Sequence, residues 1–524
     1  MLQEDVKSIL DKLKKILAEY WMEAVKHGIL TDEDASNQNA AILQEQARNR
    51  VKVFVKSALA KAKDIKLKAV DWSLFDKEKI NEMLEAYSEW TTRLRQNMTL
   101  MTEKMLLVGM QSFGDFAQSQ QAKDLGLQVF AERRLLANAP PDKDFTSLEG
   151  SIIKGSERSI TSNVVITKFQ FDFSTKEDGT EVVVENRVYP RELQQAAQKK
   201  DDKQIKELKA PLIQLAWLLH KSPPPEETDV NTVIAATTPI LLTLKCIGYI
   251  DLPAENRMQF IYEPPKANLT QANTSINTLH SLIRGKEPSK PFTPQRFLDL
   301  YYDYWSSPHP DGKLSNSVSM TRKPPLRSRF FIAYALALTV LNIHSSGWVH
   351  KNLWSHGIIM IRSQQDTDSY IPYVAGWGIA RRAVDAANTE KKVDSGIEPN
   401  LYRHPERQQQ PSEAYMFKHD VYALGVLLME IGLWNTASNI FERQMREARR
   451  LKKPTKVRLV VQAWQHSRLR SDVVGEMGEV YADAVNACLL GKIAVDGGSG
   501  VDETEMAVGF TNLVVDRLKR GLSI

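Results

Sequence analysis

The chain has 524 residues, 42% of them hydrophobic and 25% charged, with a formal net charge of +5. At roughly 150 residues per domain, that length accommodates about two to four domains or lobes, and so small a charge gives no reason to expect nucleic acid as a partner. The two cysteines, Cys246 and Cys488, lie far apart without histidine or cysteine company. They exclude a disulfide scaffold and a cysteine-rich zinc site, and they suit a reducing compartment.

The opening residues, MLQEDVKSILDKLKK, are too charged for a secretory signal. Val6, Ile9, Leu10, Leu13, Ile16, Leu17 and Tyr20 then recur at helical spacing and form one apolar stripe. Ile80, Met83, Leu84, Tyr87, Trp90 and Leu94 form another, with Asp76 as its expected N-cap. Between them, residues 51–70 carry Lys52, Lys56, Lys61, Lys63, Lys66 and Lys68 against the single acid Asp64, beside a stripe of Val51, Phe54, Val55, Ala58 and Ala62. Such a basic amphipathic helix can meet an anionic membrane or a partner's groove; the plainer reading is a solvated face over a bundle core. The expectation for residues 1–137 is a helical bundle.

NAPPDKD, at 138–144, breaks the helical pattern and marks a linker over 138–146. Beyond it the pattern changes to strands. NVVITKFQFDF (163–173) and TEVVVENRVY (180–189) are β-rich, with a hairpin signal at Asp178-Gly179. A helical stretch follows, which Pro211 is expected either to interrupt or to restart as a new turn. ILLTLKCIGYI (240–250) and MQFIYEPP (258–265) again read as strands. From about Phe292 the chain reads as mostly helical. There the charge-free run FFIAYALALTVLNI (330–343) is shorter than the ~20 residues of a membrane span, so it is expected to be a buried core helix. The fold class is α+β: a helical bundle followed by a two-lobed unit over 147–524, with lobes at about 147–265 and 290–524.

One stretch carries a chemical question. GWVHKNLWSHGIIM, 347–360, keeps His350, Lys351 and Leu353 in the rhythm H-R-D-L-x-x-x-N, but Asn352 stands in the aspartate slot and Gly357 in the asparagine slot. Downstream, VAGWGIARR (374–382) takes the place of a D-F-G segment, with Gly376 where its aspartate would be. YRHPERQ (402–408) stands where A-P-E would be, with Glu406 retained, and KHDVYALGVLLMEIGLW (418–434) follows with Asp420. These ordered segments resemble the protein-kinase family. The resemblance implies a kinase-like fold in which Asp420 anchors the catalytic loop, His350 braces the loop after D-F-G, and Glu406 pairs with a later arginine.

More narrowly, GWVHK, GWGIAR, YRHPERQ and residues 70–94, VDWSLFDKEKINEMLEAYSEWTTRL, resemble fungal proteins in which a degenerate kinase domain follows a HeLo-type, or prion-inhibition and propagation, helical domain. That family implies a role in cell death or non-self recognition through membrane engagement. Its usual apolar amino-terminal segment is replaced here by a charged amphipathic helix, so the likeness covers the later part of that domain.

Phosphoryl transfer needs a base or orienting carboxylate, metal-binding oxygens and phosphate-binding cations. Asn352 cannot take a proton at neutral pH, and Gly357 and Gly376 offer magnesium no side chain. The strand that should carry V-A-I-K reads VVVENRVY, with Arg187 its nearest cation and no lysine, and Gly150 and Gly155 are wrongly spaced for a glycine-rich loop. The expectation is an inactive pseudokinase that acts as a signalling or scaffold module. No metal or cofactor is expected beyond weak, metal-independent ATP binding. Expected partners are proteins, including self-association through the helical domain, and an anionic membrane surface touched peripherally through Lys52, Lys56, Lys63 and Lys66; the expected location is the cytoplasm. The alternative is an active atypical kinase with relocated acids such as Asp366, Asp368 or Asp385. Glu207 either pairs with Arg187 or is a surface glutamate. Trp377 either fills the nucleotide cleft or is ordinary core. His344 and His356 are read as surface or packing residues, not metal ligands.

Overall fold

The computed structural model describes scattered residues between 8 and 136. From 139 onward it describes all but 154, 161–163, 172–178, 225–228, 236–239, 265–276, 285–322, 363–368, 378–379, 383–396, 409–413, 452–454, 456, 492, 494–505, 507–508 and 524. The chain divides into two compact units, Met1–Val108 and Gly109–Ile524. In the first, the described residues are helical and fall within 8–18 and 82–90. The Lys12 ammonium sits 4.0 Å from the Trp90 ring centre, joining the two amphipathic segments by attraction to the indole face. Lys52, Lys56, Lys63 and Lys66 lie outside the described residues.

The second unit is mixed α and β. Its larger sheet contains β1 (Gly150–Ile152), β2 (Arg158–Ser159), β3 (Val164–Phe171), β4 (Thr180–Val188), β5 (Lys245–Leu252) and β6 (Arg257–Glu263). The order is β1-β3-β4-β6-β5, with β2 also on β3, and every pairing is antiparallel. The two strands expected to pair do so antiparallel, Val164 with Glu185 through to Phe169 with Thr180, while Asp178 of the hairpin signal lies outside the described residues. Gly179 takes φ +68°, which a glycine adopts without a Cβ penalty. Alternation along β4 sends Val182 and Val184 into a cluster with Phe169, Ile250 and Ile261. The opposite face holds Val183, Glu185 and Arg187, all buried.

Between β4 and β5 run α1 (Arg191–Lys199) and α2 (Asp202–Lys221). The break expected at Pro211 falls instead at Lys200-Asp201. Lys200 turns left-handed and closes α1 with its N–H on Ala196 O and Ala197 O, and Asp201 caps α2 by accepting from Gln204 N at 3.0 Å. Pro211 lies inside α2, where it removes one N–H, while buried Leu212, Leu215 and Leu219 hold the helix in place. Part of the stretch read as a linker packs here: Phe145 meets the Trp217 ring edge-on at 5.0 Å, and Asp142 pairs with Lys221 at 3.4 Å.

The strand expected over 240–250 begins only at Lys245. Residues 240–244 leave the large sheet: Thr243 bridges Val374, whose N–H donates to Leu242 O at 2.8 Å. That contact links the sheet to the rest of the unit. There, β7 (Asn277–Thr278) leads into α3 (Leu279–Arg284), and α4 (Leu326–Ser345) precedes β8 (Trp348–Val349), β9 (Ile358–Arg362), β10 (Tyr370–Val374) and β11 (Arg381–Arg382). These strands make a three-stranded sheet, β10-β9-β7, and a ribbon, β11-β8. The helices α5 (Phe417–Leu433), α6 (Ala437–Ile440), α7 (Leu469–Met477) and α8 (Glu479–Leu490) follow.

Among the described residues, α4 is the one helix long and apolar enough to cross a membrane, yet 83% of its apolar window is buried, so it is a core helix. Asn342 Nδ2 donates to Ile240 O at 2.5 Å, and the Arg329 guanidinium donates to Gly432 O at 2.6 Å. On α5, a Cβ at Gly425 would lie 2.8 Å from Cys488 Cβ, so glycine lets α5 and α8 touch. Both cysteines are buried and free, and burial pushes the Cys246 thiol up to about 12.

Candidate functional site

The loop after β8 is held by one carboxylate. Asp420, in the first turn of α5, accepts from His350 N at 2.7 Å, Lys351 N at 3.0 Å and Tyr415 Oη at 2.7 Å. Its place at a helix N-terminus also favours negative charge. Burial raises its pKa to about 6, and these three donors oppose that rise. Lys351 adopts φ +67°, a left-handed conformation that costs a non-glycine residue about 1–2 kcal/mol. The carboxylate on its own N–H and the preceding one holds it there. The His350 ring is wholly buried, meets Trp377 edge-on at 4.7 Å, and accepts the Asn352 N–H at 3.3 Å. Burial keeps it neutral, with a pKa lowered to about 3.

Asn352 points toward the segment after β10. Its amide donates to Gly376 O at 3.1 Å, while Gly376 N donates to Glu185 Oε2 at 3.1 Å. Gly376 has φ +85°, and a Cβ there would lie 2.8 Å from Asn352 Nδ2. The left-handed backbone therefore favours glycine, and a side chain here would also have to displace the Asn352 amide. Gly357 is similarly enclosed, with its N–H on Trp354 O at 2.9 Å and its carbonyl accepting from Ala375 N at 2.8 Å.

Arg187 stands two residues from Glu185, on the same face of β4. Its guanidinium donates to Trp377 O at 3.5 Å and Ala380 O at 3.3 Å. Burial lowers its pKa to about 10, and the charge of Glu185 opposes that loss. Glu207 is exposed on α2, so the acid that compensates Arg187 is Glu185 instead. Trp377 is 1% exposed, and its indole N–H reaches Thr243 Oγ1 at 3.1 Å and Val374 O at 3.2 Å, which makes it core.

Glu406 pairs with Lys418 at 2.7 Å and faces His419 Nε2 at 3.5 Å. Both neighbouring imidazoles are already engaged: His404 Nδ1 accepts from Glu406 N at 3.3 Å, and His419 Nδ1 accepts from Met416 N at 2.8 Å. His344 packs on the Phe417 ring at 4.0 Å. His356 does more, since it stacks on His280 at 3.7 Å beside Glu398.

Sequence reasoning missed the buried acids. Glu185 sits inside a strand pattern, where an acid carries no mark of its own. Glu430, on α5, accepts from Tyr402 Oη at 2.6 Å, Ala437 N at 2.6 Å and Ser355 Oγ at 3.3 Å. Burial raises its pKa to about 8, so it is mostly protonated at neutral pH. The only available signal was an acid within an otherwise apolar helix. Asp366, Asp368 and Asp385 lie outside the described residues. Chemically, the described groups of this region act as hydrogen-bonding braces, each turned toward backbone or a neighbouring side chain.

Residues 251–508, a stretch just short of half the chain, match a family described as Domain of unknown function (DUF7580). The match spans the loop at 347–360, the 374–382 segment, Glu406 and α5, and it leaves out β1 to β4. The chain matches no curated protein.

Proposed function

We propose that residues 147–524 form a catalytically degenerate, protein-kinase-like module that works by binding and switching. In this reading it is coupled to a HeLo-like helical domain in a cell-death or non-self-recognition pathway. The antiparallel order β1-β3-β4-β6-β5, with helices inserted before β5, supports a kinase-like amino-terminal lobe. The grip of Asp420 on the loop at His350 supports the carboxy-terminal lobe.

The observation that carries the reading is Gly376. Its N–H and C=O are engaged by Glu185 and Asn352, at 3.1 Å each. Where a kinase would present a magnesium ligand, this chain makes an internal bond. Its expected partners are proteins, a second copy of the helical domain, and anionic lipid met at the cytoplasmic surface.

A thermal-shift titration with ATP, with and without magnesium, tests the reading, because a ligand of the folded state stabilises it by RT ln(1 + [L]/Kd). The expected outcome is no magnesium-dependent increment, with any binding near the millimolar range, about −4 kcal/mol. A magnesium-dependent rise in Tm at micromolar ATP would overturn it.

A further inference from the structure

Three elements distant in sequence converge beside the loop at 347–360. Antiparallel pairing of Thr278 with Ile359 brings β7 against β9, so His280, just after β7, lies over His356, just before β9. The two rings stack at 3.7 Å with 20° between their planes. Glu398, which precedes the turn at Pro399–Leu401, brings one carboxylate oxygen to both rings. Its Oε1 lies 3.5 Å from His356 Nε2 and 3.9 Å from His280 Nδ1.

Those separations are long for hydrogen bonds, which put N and O about 2.7–3.2 Å apart. Accordingly, His356 Nε2 and Glu398 Oε1 are buried atoms that make no hydrogen bond of standard geometry, and they meet as an ion pair only when His356 is protonated. The 3.5 Å separation is close to the edge of a coordination tetrahedron, and the 3.9 Å one would shorten by about half an ångström to match it. Metal–ligand bonds of about 2.0–2.1 Å at tetrahedral angles hold donor atoms about 3.3–3.4 Å apart. All three donor atoms lie within 4.8 Å of one another.

We propose that His280, His356 and Glu398 form a site for a divalent transition-metal ion of the zinc class. Two imidazoles and one carboxylate suit zinc, and they disfavour magnesium, which prefers an all-oxygen shell. Three protein ligands leave a fourth position for water or a partner's side chain; the His356 and Glu398 side chains are 29% and 25% exposed, although their donor atoms are themselves buried. To meet one ion the stacked rings fan apart around Glu398 Oε1. Ser355 Oγ, 3.4 Å from His280 Nδ1, has Tyr402 Oη at 2.9 Å and Glu430 Oε1 at 3.3 Å as other partners, so freeing Nδ1 for the ion strands no hydroxyl. The cluster of His404, Glu406 and His419 differs, because its Nδ1 atoms bond backbone N–H groups and its carboxylate pairs with Lys418. The bound ion would clamp the loop at His356 to β7–α3 and to the chain before Pro399. The proposal stands on these contacts and does not depend on the kinase-like reading.

The test uses the full chain stripped with a chelator and titrated with Co2+ and Zn2+. The expected result is one Co2+ per chain with a four-coordinate visible absorption band, displaced by Zn2+, and a zinc-dependent rise in Tm that magnesium does not produce. Outer partners alone are worth about 10–100-fold in affinity, so His356→Gln and Glu398→Gln should each weaken zinc by about a hundredfold or more. His404→Gln should leave zinc binding unchanged. X-ray absorption of the zinc-loaded wild-type chain should show two imidazoles at about 2.0–2.1 Å, independently of how the variants fold. Unchanged zinc affinity in both ligand variants, or fewer than two imidazoles on the metal, would overturn the proposal. So would the absence of a cobalt band and of a zinc-dependent shift up to about 0.1 mM metal, the weak end of specific binding.

Discussion

Asp420 Oδ2 accepts the His350 backbone N–H at 2.7 Å, and its other oxygen accepts the Lys351 N–H at 3.0 Å. Replacing this carboxylate strands buried donors, each worth about 1–3 kcal/mol when unsatisfied. Asp420→Ala should therefore lower the urea midpoint strongly. Asn352→Asp removes one donor from Gly376 O at a half-buried position and should cost only about 1 kcal/mol. Equal losses in the two variants would contradict this account of the loop.

Gly376→Asp, which would supply a carboxylate at the expected metal slot, should be destabilising. A non-glycine residue at φ +85° is strained by roughly 1–3 kcal/mol, and its Cβ would meet Asn352 Nδ2 at 2.8 Å. Calorimetry should give a lower Tm, and adding magnesium and ATP should not restore it.

Glu185 and Arg187 are a buried acid and base on one strand face. Removing one charge of such a pair typically costs about 3–5 kcal/mol, because the other is left uncompensated. Glu185→Gln should fall in that range. The double variant Glu185→Gln/Arg187→Met should be clearly more stable than the sum of the single changes, as a double-mutant cycle by urea unfolding would show. Simple additivity would mean the two charges do not interact.

Glu430 sets a pH dependence on the alkaline side. Its folded-state pKa is raised from 4.5 to about 8, so the folded protein holds a proton that the unfolded chain has released. Stability then falls as pH rises through that window, by about 1.4 kcal/mol per unit, or roughly 2 kcal/mol between pH 6.5 and 8. His350 and His419 act in the opposite sense. Their pKa values are lowered to about 3 and about 2, so stability is lost as pH falls below 6.5. For His419 burial leads, with His404, Lys418, Arg407 and Arg381 adding to it. His280, which burial lowers to about 3, adds to this loss, while the raised values of Asp420, between pH 3.8 and 6, and of Glu430, from pH 4.5 upward, offset two of the three histidines. Tm should peak near pH 6–6.5. In Glu430→Gln, where an amide replaces the protonated acid, the alkaline limb should flatten.

The lysines at 52–66 carry the membrane expectation. Vesicles rich in phosphatidylserine should sediment the full chain at low salt and release it near physiological ionic strength, where charges are screened over about 8 Å. Changing Lys52, Lys56, Lys63 and Lys66 to glutamine should abolish the low-salt binding. Salt-resistant binding would point to apolar insertion instead.

Local pattern was enough to read much of the framework. The β-rich run through Val182, Val183 and Val184 marks β4, a glycine signals the connection before it, and an unbroken apolar run marks α4 as core. Each of these rests on periodicity or on a residue's own conformational freedom, which the chain carries within a few positions. The spacing between His350 and Asp420 was legible too, though only as a resemblance of ordered segments. Pro211 misled, because the packing of Leu212, Leu215 and Leu219 outweighs one missing N–H. Tertiary structure alone decided the rest. It turned Glu185 toward Gly376 rather than Arg187 toward Glu207, gathered Ser355, Tyr402 and Glu430 into one buried network, and set His280, His356 and Glu398 around a shared point. Partners so far apart in sequence leave no periodic trace. Their meeting depends on strand register and on the low dielectric of burial, which makes each polar group seek whichever neighbour the fold brings near.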